Sequence, residues 1–458
     1  MSRHRYLPHT DADVAAMLER CGADTVDRLF EDIPEALRMK KPYELPGELS
    51  EPEVRRFFRA LDMRDEVLTC FAGGGFYDRY APSVIASLMA RSEFLTAYTP
   101  YQPEISQGTL QYIFEYQSMM CALTGLDVSN ASLYDGATAT AEAMMMCVAA
   151  ARKRNRVLIS ATIAPYVLDV ARTYARYHKV QLDVIPEKDG VTDRAAMQQM
   201  LSAGDVAGVI LPSPNYWGIL EDLTGFADDI HAARALMVIN GHAVALGVVK
   251  SPAEWGADIA VGDAQSLGMP LNFGGPYLGY MCVTKALMRK MPGRIVGATV
   301  DRKGKRVFVL TLQAREQHIR REKATSNICS NQGIMTLYAA MYCSVMGAEG
   351  IRRVNELSYG GAHYLARLLT EIPGVELVYP DKPFLNEFLV KFPSPEAADA
   401  AYYDAVDYGY LPGIRVGDDK LLIAVTEMRG TEEMDELAQI FAEAVNPGST
   451  KGKEDSNE

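Results

Sequence analysis

The residues with the sharpest chemical expectation lie at positions 261–279, VGDAQSLGMPLNFGGPYLG. An apolar run, Asp258-Ile259-Ala260-Val261, leads in as a strand. A turn at Gly274-Gly275-Pro276 and a second strand-like segment, 277–283, lead out. In an α/β chain, the loop after such a strand is where a lysine amine would meet a carbonyl cofactor as a Schiff base. Between Lys250 and Lys285 there is no lysine, and Gln265 stands in the loop.

Pyridoxal phosphate asks three things of a protein: that lysine, an acid to keep the pyridine nitrogen protonated, and an anion cup for the phosphate. The cup has a candidate in YDGATAT, residues 134–140, which opens a long helix with exposed N–H groups and hydroxyls. The same residues also read as an ordinary capped helix, with Asp135 or Thr138 as the cap. The acid should end the strand Leu236-Met237-Val238-Ile239, and the residue there is Asn240, followed by Gly241-His242-Ala243. An amide supplies no negative charge to a pyridinium. Two of the three requirements therefore fail at the positions where the fold would meet them. A displaced lysine, Lys250 or Lys285, lies 15 to 20 residues from Gln265, too far for a loop that must place one side chain within about an ångström.

The elements that position these residues alternate regularly. Strands are predicted at 157–160, 180–185, 206–211, 236–240 and 258–262, each a short apolar run of the kind covered on both faces. Helices are predicted between them at 165–177, 193–201 and 224–233. Such alternation predicts a mostly parallel sheet with right-handed crossovers and ligands at the carboxyl ends of its strands. Before it come helices at 105–123 and from Ala137 to Arg152. After it, a helix over 333–364, strands at 375–379, 388–392 and 421–425, and helices at 395–406 and 432–445 make a smaller α+β unit. The expected organisation is a helical arm over 1–60, a large α/β domain over 61–330, a small α+β domain over 331–447 and a disordered tail over 448–458. Thr10, three residues before Asp13, should cap the first helix of the arm, and Pro34, Pro42, Pro46 and Pro52 should break the rest.

Composition narrows the function. The chain has 458 residues, 48% hydrophobic, enough for a sizeable core. A net charge of −13 argues against nucleic acid, which needs a basic face. Seven cysteines at wide spacings, none in a C-x-x-C pair, suit reduced thiols and a cytoplasmic protein. The first residues hold no apolar signal core. No run approaches the roughly 20 charge-free apolar residues of a membrane span. No His or Cys cluster has metal-ligand spacing.

Four strings carry a resemblance: AYTPYQPEISQG at 97–108, GDAQSLG at 262–268, FGGP at 273–276 and TLQAREQHIRREKATSNIC at 311–329. On them the sequence resembles the N-terminal-type subunit of glycine dehydrogenase (decarboxylating), the P-protein of the glycine cleavage system, over nearly the whole chain to about residue 447. The resemblance implies the aspartate aminotransferase-like, type I pyridoxal phosphate fold. It also implies a pair of homologous halves, of which the C-terminal-type half carries the cofactor lysine in a His-Lys-Thr-Phe motif. Laid on that motif, Pro270 and Pro276 keep their spacing, Gln265 falls at the lysine, and Asn240 falls at the pyridine-binding aspartate. The chain thus resembles the half with no covalent cofactor of its own and no catalytic lysine.

The resemblance further implies a partner subunit that holds pyridoxal phosphate, the lipoylated H-protein and glycine as partners, and an assembly of two heterodimers. Tyr98, Tyr101, Gln102, Glu104 and Gln107 are the candidates to line the partner's substrate site, in a loop shaped by Pro100 and Pro103; a purely structural loop at the subunit boundary is the other reading. Thr325, Ser326 and Asn327 are the candidates to reach its cofactor, beside Arg315, His318 and Arg320, which suit carboxylate or phosphate recognition but equally a salt-bridged helix face. The turn at Gly73–Gly75, with 76–80 after it, reads as a lid or a tight turn, and Tyr216 and Trp217 read as guards of a vestigial pocket or as packing. A non-catalytic scaffold and a self-sufficient pyridoxal phosphate aminotransferase are the competing functions.

Overall fold

The protein, seen in a computed structural model, is described over residues 6–41, 43–95, 99–151, 153–324 and 326–446. It divides into two units, Met1–Glu66 and Val67–Glu458.

The first unit is helical. Thr10 caps Asp11–Cys21 as its spacing predicts: its hydroxyl accepts from Asp13 N–H at 3.2 Å and the Asp13 carboxylate accepts from Thr10 N–H at 2.6 Å. Two short 3-10 turns follow, and a second capping box, Ser50 with Glu53, starts Glu51–Asp62. Val54, Phe57, Phe58 and Leu61 recur at helical spacing along one face of that helix, and all four are exposed.

The second unit is built on a seven-stranded sheet. Its spatial order is Val128–Ser129, Gly279–Val283, Ile259–Asp263, Leu236–Asn240, Val206–Pro212, Arg156–Ser160, Gln181–Ile185. The last five run parallel; Gly279–Val283 is antiparallel to Ile259–Asp263. All seven residues of Val206–Pro212 are buried. This accounts for the unbroken apolar runs in the sequence, since each fully buried Val, Ile or Leu side chain stabilises the fold by about 1.5–3 kcal/mol. Helices Gly136–Ala151 and Pro165–His178 cover one face, where Met144, Met146, Val167 and Ala171 pack on Val157, Ile159 and Ile210. Strand order reverses between Arg156–Ser160 and Val206–Pro212, so a crevice opens at the carboxyl ends of these strands.

Helix Gly333–Thr370 runs from this core into a second one. Its first half buries Met335, Ala339 and Tyr342 with Ile85, Leu267 and Tyr280, and its last turns bury Leu365 and Leu369 with Phe388 and Phe441. It is the helix, among the described residues, long and apolar enough to cross a membrane. Its apolar face packs inside the protein, and its helical geometry breaks at Gly347 (φ 60°, ψ −176°). The second core lies under a four-stranded antiparallel sheet ordered Glu376–Leu377, Glu387–Lys391, Lys420–Ala424, Ile414–Val416. Helices Pro395–Asp407 and Thr431–Val445 cover it. A hairpin of Ile295–Val300 with Arg306–Thr311 packs Val296 and Phe308 on Leu110 and Ile113. Its turn, Asp301 to Lys305, is charged, and the sequence showed no apolar alternation strong enough to mark it.

Candidate functional site

Four of the parallel strands deliver side chains to one cavity at their carboxyl ends. Ala164 follows Arg156–Ser160, Pro214 to Tyr216 follow Val206–Pro212, Asn240 to His242 end and follow Leu236–Asn240, and Asp263 closes Ile259–Asp263. Gly74, Gly75 and Tyr77 line it from the 73–80 turn, and Glu387 from the small sheet. The glycines are required by close approach: a Cβ on Gly73 would sit 2.3 Å from the Glu387 carboxylate. The turn is therefore packed tightly against the small sheet. The cavity measures about 50 Å³.

Each of the three positions that would hold pyridoxal phosphate is turned inward. Gln265 is fully buried. Its carbonyl accepts from Tyr77 N–H at 2.9 Å, and its amide donates to Tyr77 O at 2.8 Å and Met269 O at 2.6 Å. The residue in the lysine's place thus latches the 73–80 turn. Asn240 donates to the Thr140 hydroxyl at 2.8 Å. The helix start is a real cup, but it holds carboxylates of the chain itself. Asp135 accepts from Thr138 N–H at 2.7 Å, and Asp263 accepts from Gly136 N–H at 2.9 Å. Gly136 is needed there, because a Cβ would meet Asp263 N at 2.7 Å. The phosphate-cup expectation is corrected accordingly: the capped-helix alternative describes the geometry, and an incoming phosphate would meet negative charge where it needs donors. Ligand pockets of cofactor size measure about 300–1,000 Å³, several times this cavity. The residues present do not fit the group. Lys250 and Lys285 do not line the cavity; Lys250 lies 3.8 Å over the Trp255 ring.

Electrostatics sharpen the picture. Burial raises the Glu387 carboxyl to about 7, against hydrogen bonds from Gly74 N–H at 2.6 Å and the Tyr77 hydroxyl at 2.9 Å. Burial likewise raises Asp263 to about 7. Burial, helped by the charge of Arg79, lowers His242 to about 3, so its ring is neutral. Neither His242 nitrogen has a partner among the described residues. The Tyr77 ring lies 4.9 Å from His242 and 5.4 Å from Arg79, which pairs with Glu427 at 2.7 Å in a fully enclosed salt bridge.

The sequence candidates lie in a different kind of environment. Tyr98 and Thr325 are outside the described residues. Tyr101 is exposed, yet its hydroxyl accepts from Arg294 Nη2 at 2.8 Å, and its ring meets His318 edge-on at 5.6 Å. Gln102 and Glu104 are exposed. Gln107 uses both ends of its amide on the hairpin, donating to Phe308 O and accepting from Phe308 N–H, each at 2.9 Å. Arg294, only 3% exposed, lies 3.6 Å from Glu316, which also faces His318 at 3.6 Å. Arg315 and Arg320 turn onto the backbone carbonyls of Gly293 and Ala314. A cleft of about 620 Å³ beside Arg294 is lined by Pro100, Tyr112, Asn331 and Gln332. Ser326 and Asn327 line a separate cleft of about 380 Å³. There Ser326 donates to Glu142 at 2.9 Å, whose carboxyl burial raises to about 7. Arg315, His318 and Arg320, which the sequence had grouped with Ser326 and Asn327, do not line that cleft, although Gln317 and Arg321 do. The structure also adds Arg294, Glu387 and Glu142; a lone acidic residue opening an apolar strand, as Glu387 does, gave no signal.

The profile of the glycine cleavage system P-protein family matches residues 4–441. The chain belongs to that family. It is 47% identical over 438 residues to a probable glycine dehydrogenase (decarboxylating) subunit 1 of Moorella thermoacetica, covering 94% of this chain and 98% of the relative. It superimposes on the crystal structure of a glycine decarboxylase (P-protein) of the glycine cleavage system in inhibitor-bound form with a TM-score of 0.87, at 42% identity, covering 96% of this chain and 100% of that one. A Burkholderia pseudomallei sphingosine-1-phosphate lyase shares the fold alone, with a TM-score of 0.65 at 14% identity over 90% of this chain and 94% of that one. The architecture is the type I fold of pyridoxal phosphate enzymes, as the resemblance implies, on the mostly parallel sheet that the strand pattern predicts.

Proposed function

We propose that this chain is the subunit of a glycine decarboxylase that carries no pyridoxal phosphate, and that a homologous partner subunit holds the cofactor. Together they decarboxylate glycine and pass the aminomethyl group to the lipoyl arm of the H-protein, in an assembly of two heterodimers. The observation that carries the reading is the buried Gln265 amide, whose three hydrogen bonds are all made inside the chain. Occupation of the phosphate cup by Asp135 and Asp263 supports it independently. This chain's part is to complete the partner's site, with Tyr101, Gln102 and Glu104, and Tyr98 before them, facing substrate, and the 325–327 segment facing the cofactor. Arg294 and Glu316 hold the Tyr101 side of that loop in place. All seven cysteines are free thiols, which supports placing the protein in a reducing compartment such as the cytoplasm.

Two measurements test this. The purified chain, given pyridoxal phosphate, develops no visible absorbance, and borohydride traps no adduct on any lysine. Exchange of bicarbonate into the glycine carboxyl needs both subunits and is absent with either alone. A trapped lysine on this chain, or exchange by the partner alone at the full rate, sinks the proposal.

A further inference from the structure

The cavity at the sheet's carboxyl ends holds two buried carboxyls and, among the described residues, no lysine or arginine in its lining. Glu387 is 3% and Asp263 6% exposed. Glu387 takes Gly74 N–H and the Tyr77 hydroxyl, and Asp263 takes the N–H groups of Gln265 and Gly136. All four donors are neutral, and each carboxylate oxygen keeps a second lone pair. No lysine or arginine lines the cavity among the described residues. The nearby Arg79 pairs with Glu427 through Nη1, and its charge offsets only part of the cost of burying Glu387. His242, 8% exposed, lines the same space with both ring nitrogens buried and unpartnered. A neutral imidazole offers one nitrogen as acceptor. Tyr77, Tyr166 and Tyr216 complete the wall with aromatic rings, whose faces attract cations. At about 10–15 Å³ per water-sized occupant, about 50 Å³ admits only a few non-hydrogen atoms.

Two buried carboxyls with no lining cation, an unpartnered imidazole, aromatic walls and very small volume together favour one ligand class. We infer that this cavity binds a small ammonium ion, ammonium itself or a one-carbon primary amine, with Glu387, Asp263 and His242 as its acceptors. The site lies where a cofactor would lie in a type I enzyme, so the inference rests on the reading that this chain holds no pyridoxal phosphate.

Titration calorimetry of the full chain tests it, with ammonium chloride and methylammonium chloride set against potassium chloride and sodium chloride at constant ionic strength. The expected result is saturable binding of the ammonium ions about tenfold or more tighter than of either alkali cation. Glu387→Gln keeps the size of the side chain and removes its charge, and should weaken ammonium binding about tenfold with an unchanged circular dichroism spectrum. Nitrogen-15 NMR of labelled ammonium on the unsubstituted chain needs no variant, and should show a bound signal in slow exchange with the free ion. Equal affinity for all four cations, or no saturable heat and no bound signal, overturns the inference. Pyridoxal phosphate given to an amine-free sample and then removed by gel filtration separates the two ideas. A visible band retained by the protein sinks the cofactor-free reading and with it the site that rests on that reading; ammonium binding without that band supports both; neither signal sinks the ammonium site alone.

Discussion

Two polar regions of this chain look alike in composition and differ in how their groups are used. In the cavity at the carboxyl ends of the sheet, Gln265, Asn240, Asp135 and Asp263 bond to one another's neighbours and to the 73–80 turn. Around residues 99–107, Gln102 and Glu104 are exposed, while Tyr101 and Gln107 bond to the body. The first region uses its polar groups as a structural lock. The second has the character of a surface whose use depends on another molecule. The difference teaches that a buried amide such as Gln265 can be the fastening of a turn, and its three hydrogen bonds then stabilise the fold. Changes in the inner region should therefore act on stability, and changes in the outer region on activity with the partner.

The largest effect expected comes from the inner region. Arg79→Ala leaves Glu427 buried without a counter-charge, and breaking a buried pair from one side costs about 3–5 kcal/mol. Urea unfolding of the purified chain measures it. A loss below about 1 kcal/mol would show the region to be loosely held. Gln265→Lys is the next largest. It removes three buried hydrogen bonds and buries an amine in their place, at a cost of about 2–4 kcal/mol. It should not create a cofactor site, because Asn240 and the carboxylate-filled cup remain. Visible absorbance on adding pyridoxal phosphate to that variant would show that the lysine was the only thing missing.

The parallel sheet was legible in the sequence because its strands are short unbroken apolar runs, and a buried strand has little else it can be. Gln265 and Asn240 were legible because the fold fixes where a lysine and an acid must stand. The latch itself was not. It joins Gln265 to Tyr77, 188 positions apart, and nothing local in GDAQSLG marks a partner at that distance. The cup was half legible: YDGATAT showed a helix start with a capping aspartate, but Asp263 closing it from another strand requires the folded sheet. Arg294, the buried cation behind Tyr101, was hidden for the same reason, since the hairpin that brings it there has a charged turn and no strong alternation.

A smaller effect follows from protonation of the inner carboxyl. Glu387 has a folded pKa of about 7 and an unfolded one of about 4.3. A raised carboxyl binds a proton in the folded state where the unfolded chain has released it. Its contribution to stability is therefore present below the unfolded value and lost progressively as pH rises toward 7. Above the folded pKa the full cost of the buried charge is in place. In sodium buffers, the stability of Glu387→Gln relative to the unsubstituted chain should improve as pH rises from 5 to 7, by about 1 kcal/mol per pH unit. Denaturant unfolding at three pH values reads this directly. A relative stability independent of pH would place the carboxylate in a more polar setting than the enclosed site implies.

The smallest effect on stability, and the one that decides the comparison, belongs to the outer loop. Gln102→Ala and Glu104→Ala alter exposed side chains, and such changes typically shift stability by no more than about 0.5 kcal/mol. If the loop completes a partner's site, the same variants, co-purified with the cofactor-bearing homologue, should lower the glycine-dependent exchange rate about tenfold, since small losses of positioning cost rate steeply. Size-exclusion chromatography must show the assembly intact for the rate to be read in this way. Intact assembly with full turnover would leave this chain as a scaffold, because the loop would then touch nothing that reacts. Intact assembly with reduced turnover assigns the loop to the chemistry, and the lock and the loop then divide this chain's work, the first holding the fold and the second serving a site completed with the partner.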